Sequence, residues 1–224
     1  MNRQKPSITL TNWRKLNRVP TNKHLKNKVI EYVRFKDWYK ESNNAIREKF
    51  PLDSSLMNKI IASTSQQNNL KTNIDLSLLA YDYIKKGYSL QDLNFGVANP
   101  SIQGNLKRAL NGQLPRGNKI LPFCMALHGD YSQIVVDSHM MNLFNLNLKR
   151  KTPNITDIKH ISTIIRKLSK DLRLTPCEIQ ASLWAYIKTE SPYSREKEVN
   201  DYSYYLNQTQ GLTDYVQGTT NLKI

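Results

Sequence analysis

Apolar residues recur at the spacing of a helical face along almost the whole chain, and nothing else narrows the available folds as much. Leu25, Val29, Val33 and Trp38 make such a stripe in residues 23–41, with cations on the opposite face. A second helix is expected over 54–63, entered through Asp53 or Ser54 after Pro51. A third covers 70–86, with Ile74, Leu78, Tyr81 and Ile84 on one face and Gly87 as its stop. Ser89 opens a further short helical turn, and Pro100-Ser101 starts a helix over 101–110. Helices over 118–128, closed by Gly129, and over 138–146 follow. A long helix begins at Thr156 or Asp157, with Ile158, Ile161, Ile165 and Leu168 inward. Thr175-Pro176-Cys177-Glu178 reads as a capping box with proline at the first helical position. It opens a helix to residue 188 with Leu183, Trp184 and Ile187 inside. The β-branched run 133–136 has no neighbour to pair with, so it is read as a buried, extended approach to the next helix. The expectation is an all-α fold.

With 224 residues the chain can bury a real core, as one large helical domain or two small lobes. Its formal net charge is +15. That excess points to nucleic acid or another anionic surface as partner. Residues 1–50 hold 13 lysines and arginines against 4 acids, a basic arm and helix suited to a phosphate backbone through counterion release. Residues 189–224 are polar and Tyr-dotted without sustained periodicity, which predicts an irregular tail. Cys124 and Cys177 stand in unrelated contexts with no CxxC pair, so neither a zinc site nor an iron–sulfur cluster is supported. Cys124, between Phe123 and Met125, reads as a buried thiol. No signal peptide or eighteen-residue apolar run is present, so a cytoplasmic protein is expected, without membrane partner or cofactor. The richness in Asn, Lys and Ile suggests an AT-rich genome such as a phage's, which would put the protein in a bacterial or phage-infected cytoplasm.

One segment carries candidate chemistry. It runs Gly117-Asn118-Lys119-Ile120-Leu121-Pro122-Phe123, passes His128-Gly129-Asp130, and reaches Val135-Val136-Asp137-Ser138-His139-Met140. A glycine turn opens a helix with a lysine near its first turn, and eighteen positions later an aspartate starts the next helix. An amine can attack a sugar carbon if burial or the positive end of a helix disfavours its charged form. Asp137 at a helix start is also what an ordinary N-cap looks like.

This stretch resembles the helix-hairpin-helix DNA glycosylase superfamily, whose best-known member is endonuclease III. In that family a Gly-x-Lys and a Val-Asp-x-His sit at the same separation. The resemblance implies a two-lobed helical domain over 51–188, with duplex DNA and an extruded base in a cleft between the lobes. It implies Lys119 as nucleophile on the deoxyribose C1′ and Asp137 as electrostatic or acid–base partner, with His139 on the structural or phosphate side. The family's hairpin, Leu-Pro-Gly-x-Gly, holds a phosphate on backbone amides. This chain reads Leu114-Pro115-Arg116-Gly117, one glycine fewer and one residue shorter, so Arg116 is expected to contact phosphate directly, with Gly117 and Asn118 beside it. Gly117 is expected to need a positive φ. Ile60-Ile61-Ala62-Ser63-Thr64-Ser65-Gln66-Gln67-Asn68, followed by Asn73, resembles the family's Leu-Leu-Ser-Ala-Gln segment. Its glutamine fills the gap left by the flipped nucleotide, a role that falls to Gln66 or Gln67 here, with Asn68 beside them. A polar helix–helix connection is the competing reading of the same residues. The four-cysteine cluster loop of many relatives is absent.

Three functions stay open on the sequence. The first is a monomeric DNA glycosylase, with or without AP-lyase activity, excising a damaged or modified base. The second is a transferase on the same scaffold that modifies a flipped base, as in thymine hypermodification. The third is a non-catalytic DNA-binding module. The residues do not say which base is recognised. Tyr81, Tyr83 and Phe123 are possible stacking residues that fit a core equally well.

Overall fold

The computed structural model describes residues 8–66, 68–88, 100–146, 152–191 and 197–209 of the chain. Among these residues the fold is all-α, with eleven α-helices, one 3-10 turn and no strand. The chain divides into two compact units, residues 1–39 with 130–199 and residues 40–129 with 200–224. No helix among the described residues is long and apolar enough to cross a membrane.

The first unit holds α1 (Leu10–Asn17), α2 (Asn22–Glu31), the 3-10 turn Val33–Phe35, α8 (Ser138–Leu143), α9 (Ile155–Leu172) and α10 (Pro176–Glu190). Its core joins Leu25 and Val29 to Ile161, Ile165, Leu168, Ile179 and Leu183, all fully buried. The helix expected over 23–41 is broken. After α2 come the 3-10 turn and then α3 (Trp38–Lys49), whose first two residues belong to this unit. The step from Val33 to Trp38 explains the break, since five residues swing a helical face round by about 140°. Val33 is accordingly 38% exposed.

The N-terminal segment is pinned from Ile8 onward, its carbonyl bonded to His160 Nε2 at 3.0 Å. Trp13 is 2% exposed, and its indole Nε1 donates to Asp157 Oδ1 at 2.9 Å. Asp157 also closes a capping box with Asn154 at the start of α9. The Thr175/Glu178 capping box and the proline at the start of α10 are as expected. Residues 134–136 are buried outside any helix or strand, and lead straight to Asp137, whose backbone is extended.

The second unit holds the rest of α3 with α4 (Ser54–Thr64), α5 (Leu70–Lys85), α6 (Pro100–Leu110), α7 (Ile120–Leu127) and α11 (Tyr202–Gln208). Helix α4 packs against α5, α6 and α7. Asp53 stands at its N-cap position, yet its carboxylate accepts from Tyr81 Oη at 2.7 Å and Lys85 Nζ at 2.9 Å instead of capping. The buried face of α5 is Asn73, Ile74, Ser77 and Ala80, whereas Leu78, Tyr81 and Ile84 are only half-buried. A polar seam accounts for this rotation. Thr64 Oγ1 meets Asn73 Oδ1 and Ser77 Oγ at 2.7 Å each, so the polar side chains of α5 find their partner on α4 inside the core. Tyr202 completes the seam, fully buried and accepting from Asn73 Nδ2 through its hydroxyl. The irregular tail expected over 189–224 is therefore corrected at 202–208. There Tyr202, Tyr205 and Leu206 give a helical stripe, capped by Asp201. The helical turn expected at Ser89 and the segment beyond residue 209 lie outside the described residues.

Candidate functional site

The hairpin between α6 and α7 is fastened by side chains. Lys59 Nζ donates to the Gly112 carbonyl at 2.9 Å, and Arg108 Nε donates to that of Leu114 at 2.8 Å. Asn105 answers both backbone groups of Arg116. Its Oδ1 accepts from the amide at 2.8 Å and its Nδ2 donates to the carbonyl at 3.0 Å. The Arg116 amide is thus already spent within the protein, which narrows any amide cradle for phosphate. The Arg116 side chain is exposed and has no partner among the described residues, and Asn118 is exposed beside it. Gly117 has φ +131°, and a Cβ there would come within 3.3 Å of Ile120 Cγ1, so the expected glycine requirement holds.

Lys119 is the N-cap of α7, one position ahead of the first-turn place expected for it. Pro122 sits in the first turn, where its missing N–H costs no helical hydrogen bond. The half-buried Lys119 donates from Nζ to the carbonyl of Ser65, the C-cap of α4, at 2.9 Å. The amine is therefore aimed at the end of α4, next to Gln66. Gln66 is half-buried and donates from Nε2 to Ser101 Oγ at 3.1 Å. Asn68 Nδ2 donates to the Thr64 carbonyl at 2.7 Å, closing the C-terminal end of α4. Gln67 lies outside the described residues. The second unit thus gathers Lys119, Gln66, Asn68 and the hairpin around one helix end, with the Thr64–Asn73–Tyr202 seam behind it. Phe123 is core here, 6% exposed with its ring 6.3 Å from that of Tyr202.

Asp137 and His139 belong to the first unit. Asp137 is the N-cap of α8, its Oδ1 accepting from the Met140 amide at 2.9 Å. Its Oδ2 makes no hydrogen bond with any described residue. His139 meets the half-buried Trp184 edge-on at 5.8 Å. Trp184, expected as core, has Trp38 at 5.8 Å, and Lys188 Nζ lies 5.1 Å from its ring centroid. Lys188 is 3% exposed, an unusual burial for a lysine. Sequence reading passed over it, although its i+4 spacing from Trp184 was the available signal.

Both cysteines are buried thiols whose pKa burial pushes up to about 12, which disfavours the reactive thiolate. No group of three or more His, Cys, Asp or Glu suited to a metal occurs among the described residues. A groove of about 630 Å³ in the second unit is lined by Glu41, Glu48 and Lys49 among others, and includes none of the candidate residues. No family model, curated protein or solved structure matches this chain.

Proposed function

We propose that the protein is a DNA glycosylase with AP-lyase activity, acting on a damaged or modified base flipped out of duplex DNA. The observation that carries this reading is the setting of Lys119. It is an N-cap lysine at the end of a fastened hairpin, half-buried, with its amine beside the residue expected to fill the flipped nucleotide's gap. To react, the amine releases the Ser65 carbonyl and a proton. Its lone pair then attacks C1′ as the bond from C1′ to the base breaks, and the departing base carries off the bonding pair and takes up a proton. A proton passed from the nitrogen to the ring oxygen opens the sugar to a Schiff base, and β-elimination then removes a C2′ proton and expels the 3′ phosphate as the C3′–O bond breaks. The family resemblance assigns Asp137, whose Oδ1 caps α8, the part of stabilising the cationic sugar and moving the proton. The +15 charge supports a polyanionic substrate.

Borohydride in the presence of duplexes bearing a panel of modified bases tests this by reducing the Schiff base to a stable protein–DNA adduct. Lys119→Ala is expected to abolish the adduct, and Asp137→Asn to slow its formation by about 10²-fold or more, the usual scale of a lost acid–base group. Adduct that persists in Lys119→Ala sinks the assignment.

The Lys119–Ser65 hydrogen bond favours a second reading in which the lysine stays a tethered cation and the flipped base is modified, not removed. Intact DNA carrying a new base mass, with no adduct, is the outcome that selects it.

A further inference from the structure

We propose that the outer face of α9 is a docking surface for the phosphate backbone of duplex nucleic acid. The proposal shares with the function above its DNA partner but not the chemistry at Lys119. Lys159, Arg166, Lys167, Lys170 and the C-cap Arg173 are all exposed. At 3.6 residues per turn, Lys159, Arg166 and Lys170 fall within about 40° of one another, with Lys167 and Arg173 flanking them. They lie opposite the buried stripe of Ile161, Ile164, Ile165 and Leu168. From residue 159 to 173 the row is about 21 Å long. Duplex DNA carries on the order of a dozen phosphate charges over that length.

None of these five side chains makes an ion pair or hydrogen bond with a described residue. Elsewhere the chain does pair its cations, as in Lys28–Glu31, Lys71–Asp75, Lys85–Asp53 and Lys86–Asp82. On α9 one acid, Asp157, is turned inward to Trp13, which leaves Asp171 as its outward acid. Like charges at i,i+3 and i,i+4 repel and weaken a helix, a cost that an ordinary solvated face avoids by interspersing acids. A membrane-surface helix would need its apolar face free to enter lipid, but the apolar face of α9 is buried in its own unit. Charge without free apolar surface fits a hydrated polyanion.

The test measures binding of the full chain to a fluorescent 20-base-pair duplex across a salt series. The triple variant Arg166→Gln/Lys167→Gln/Lys170→Gln is expected to flatten the slope of log K against log salt by about 2.7, at about 0.9 per lost phosphate contact. Affinity at moderate salt should fall at least tenfold. A second triple, Lys40→Gln/Arg47→Gln/Lys107→Gln, removes the same charge from exposed positions of the other unit and should change the slope by less than about 1. The charge-preserving triple Arg166→Lys/Lys167→Arg/Lys170→Arg should keep the parent slope, which separates contact from misfolding. Equal losses in the two glutamine triples overturn the proposal, as does no loss in the α9 triple. Binding of anionic phosphatidylserine vesicles that depends on α9, without duplex binding, also overturns it. Lys119→Ala removes one cation and should change the slope by less than about 1, against about 2.7 for the α9 triple, so failure of adduct trapping and failure of the docking face are read separately.

Discussion

Asn105 shows how much one side chain can hold at this site. It is 4% exposed and satisfies both the amide and the carbonyl of Arg116, eleven residues along and on the far side of a turn. Asn105→Ala removes both bonds, but the exposed Arg116 backbone can rehydrate, so the net cost should be about 1–2 kcal/mol. The check is a lower urea midpoint with an unchanged m-value. Asn105→Asp keeps the acceptor for the amide and sets a carboxylate against the carbonyl, so it should not recover parental stability. A parental midpoint in both variants would remove Asn105 from this role. Gly117 and Asp137 were legible in the sequence because their requirements are local, a positive φ and an N-cap. Asn105 was not, because its partner is backbone brought near only by the finished turn. Lys188 differs, since its i+4 spacing from Trp184 was a local signal, although a lysine 3% exposed is not what its charge predicts.

Among elements, α11 departs most from expectation. Seven residues in a stretch that reads as irregular form a helix whose Tyr202 is fully buried. The stripe Tyr202, Tyr205, Leu206 is too short to stand out from a polar background, and isolated helices of this length are unstable in water. Packing against α5 and the Asn73–Tyr202 hydrogen bond supply what propensity does not. The same limit explains α5, where apolar residues alone suggested a face through Leu78 and Tyr81. The buried Asn73, Ser77 and Thr64 seam set the orientation instead. For the long helices with strong caps, α9 and α10, the starts were legible to within two residues. Tyr202→Phe should keep the ring packing but strip Asn73 Nδ2 of its buried acceptor, a loss of about 1–3 kcal/mol in a chemical melt. Because the seam meets α4 at Thr64, next to the carbonyl that holds Lys119, Tyr202→Phe should also slow adduct formation if the proposed chemistry is right. Unchanged stability in Tyr202→Phe would show that the seam does not need the hydroxyl.

At the scale of the whole molecule, both units hold buried or half-buried groups that resist deprotonation. The first unit holds Cys177 and Tyr32, and the second holds Cys124 and Tyr81, with burial the leading cause of each upward shift. The thiols move from 9.0 to about 12 and these two tyrosines from 10.0 to about 12. Tyr202 shifts upward as well. A folded-state pKa above the unfolded value means that the unfolded chain gives up its proton first. The stabilisation is therefore complete below the unfolded pKa and is lost as pH rises towards the folded one. Urea midpoints should be level from pH 7 to 8, fall once pH passes 9 as the thiols enter, and fall faster above 10 as the tyrosines join. Neutralising lysines above pH 10 relieves self-repulsion in a chain of net charge +15 and works in the opposite direction, so the thiol window between 9 and 10 gives the cleanest sign. Cys124→Ala/Cys177→Ala should flatten that window, judged by the shape of the profile and not its height, because removing buried sulfur also costs packing. In the native parent, a thiol reagent at pH 8 should meet no reactive cysteine until the protein is denatured. A midpoint that stays constant from pH 8 to 11, or fast labelling of the native protein, would mean that these thiols are not held as the fold implies.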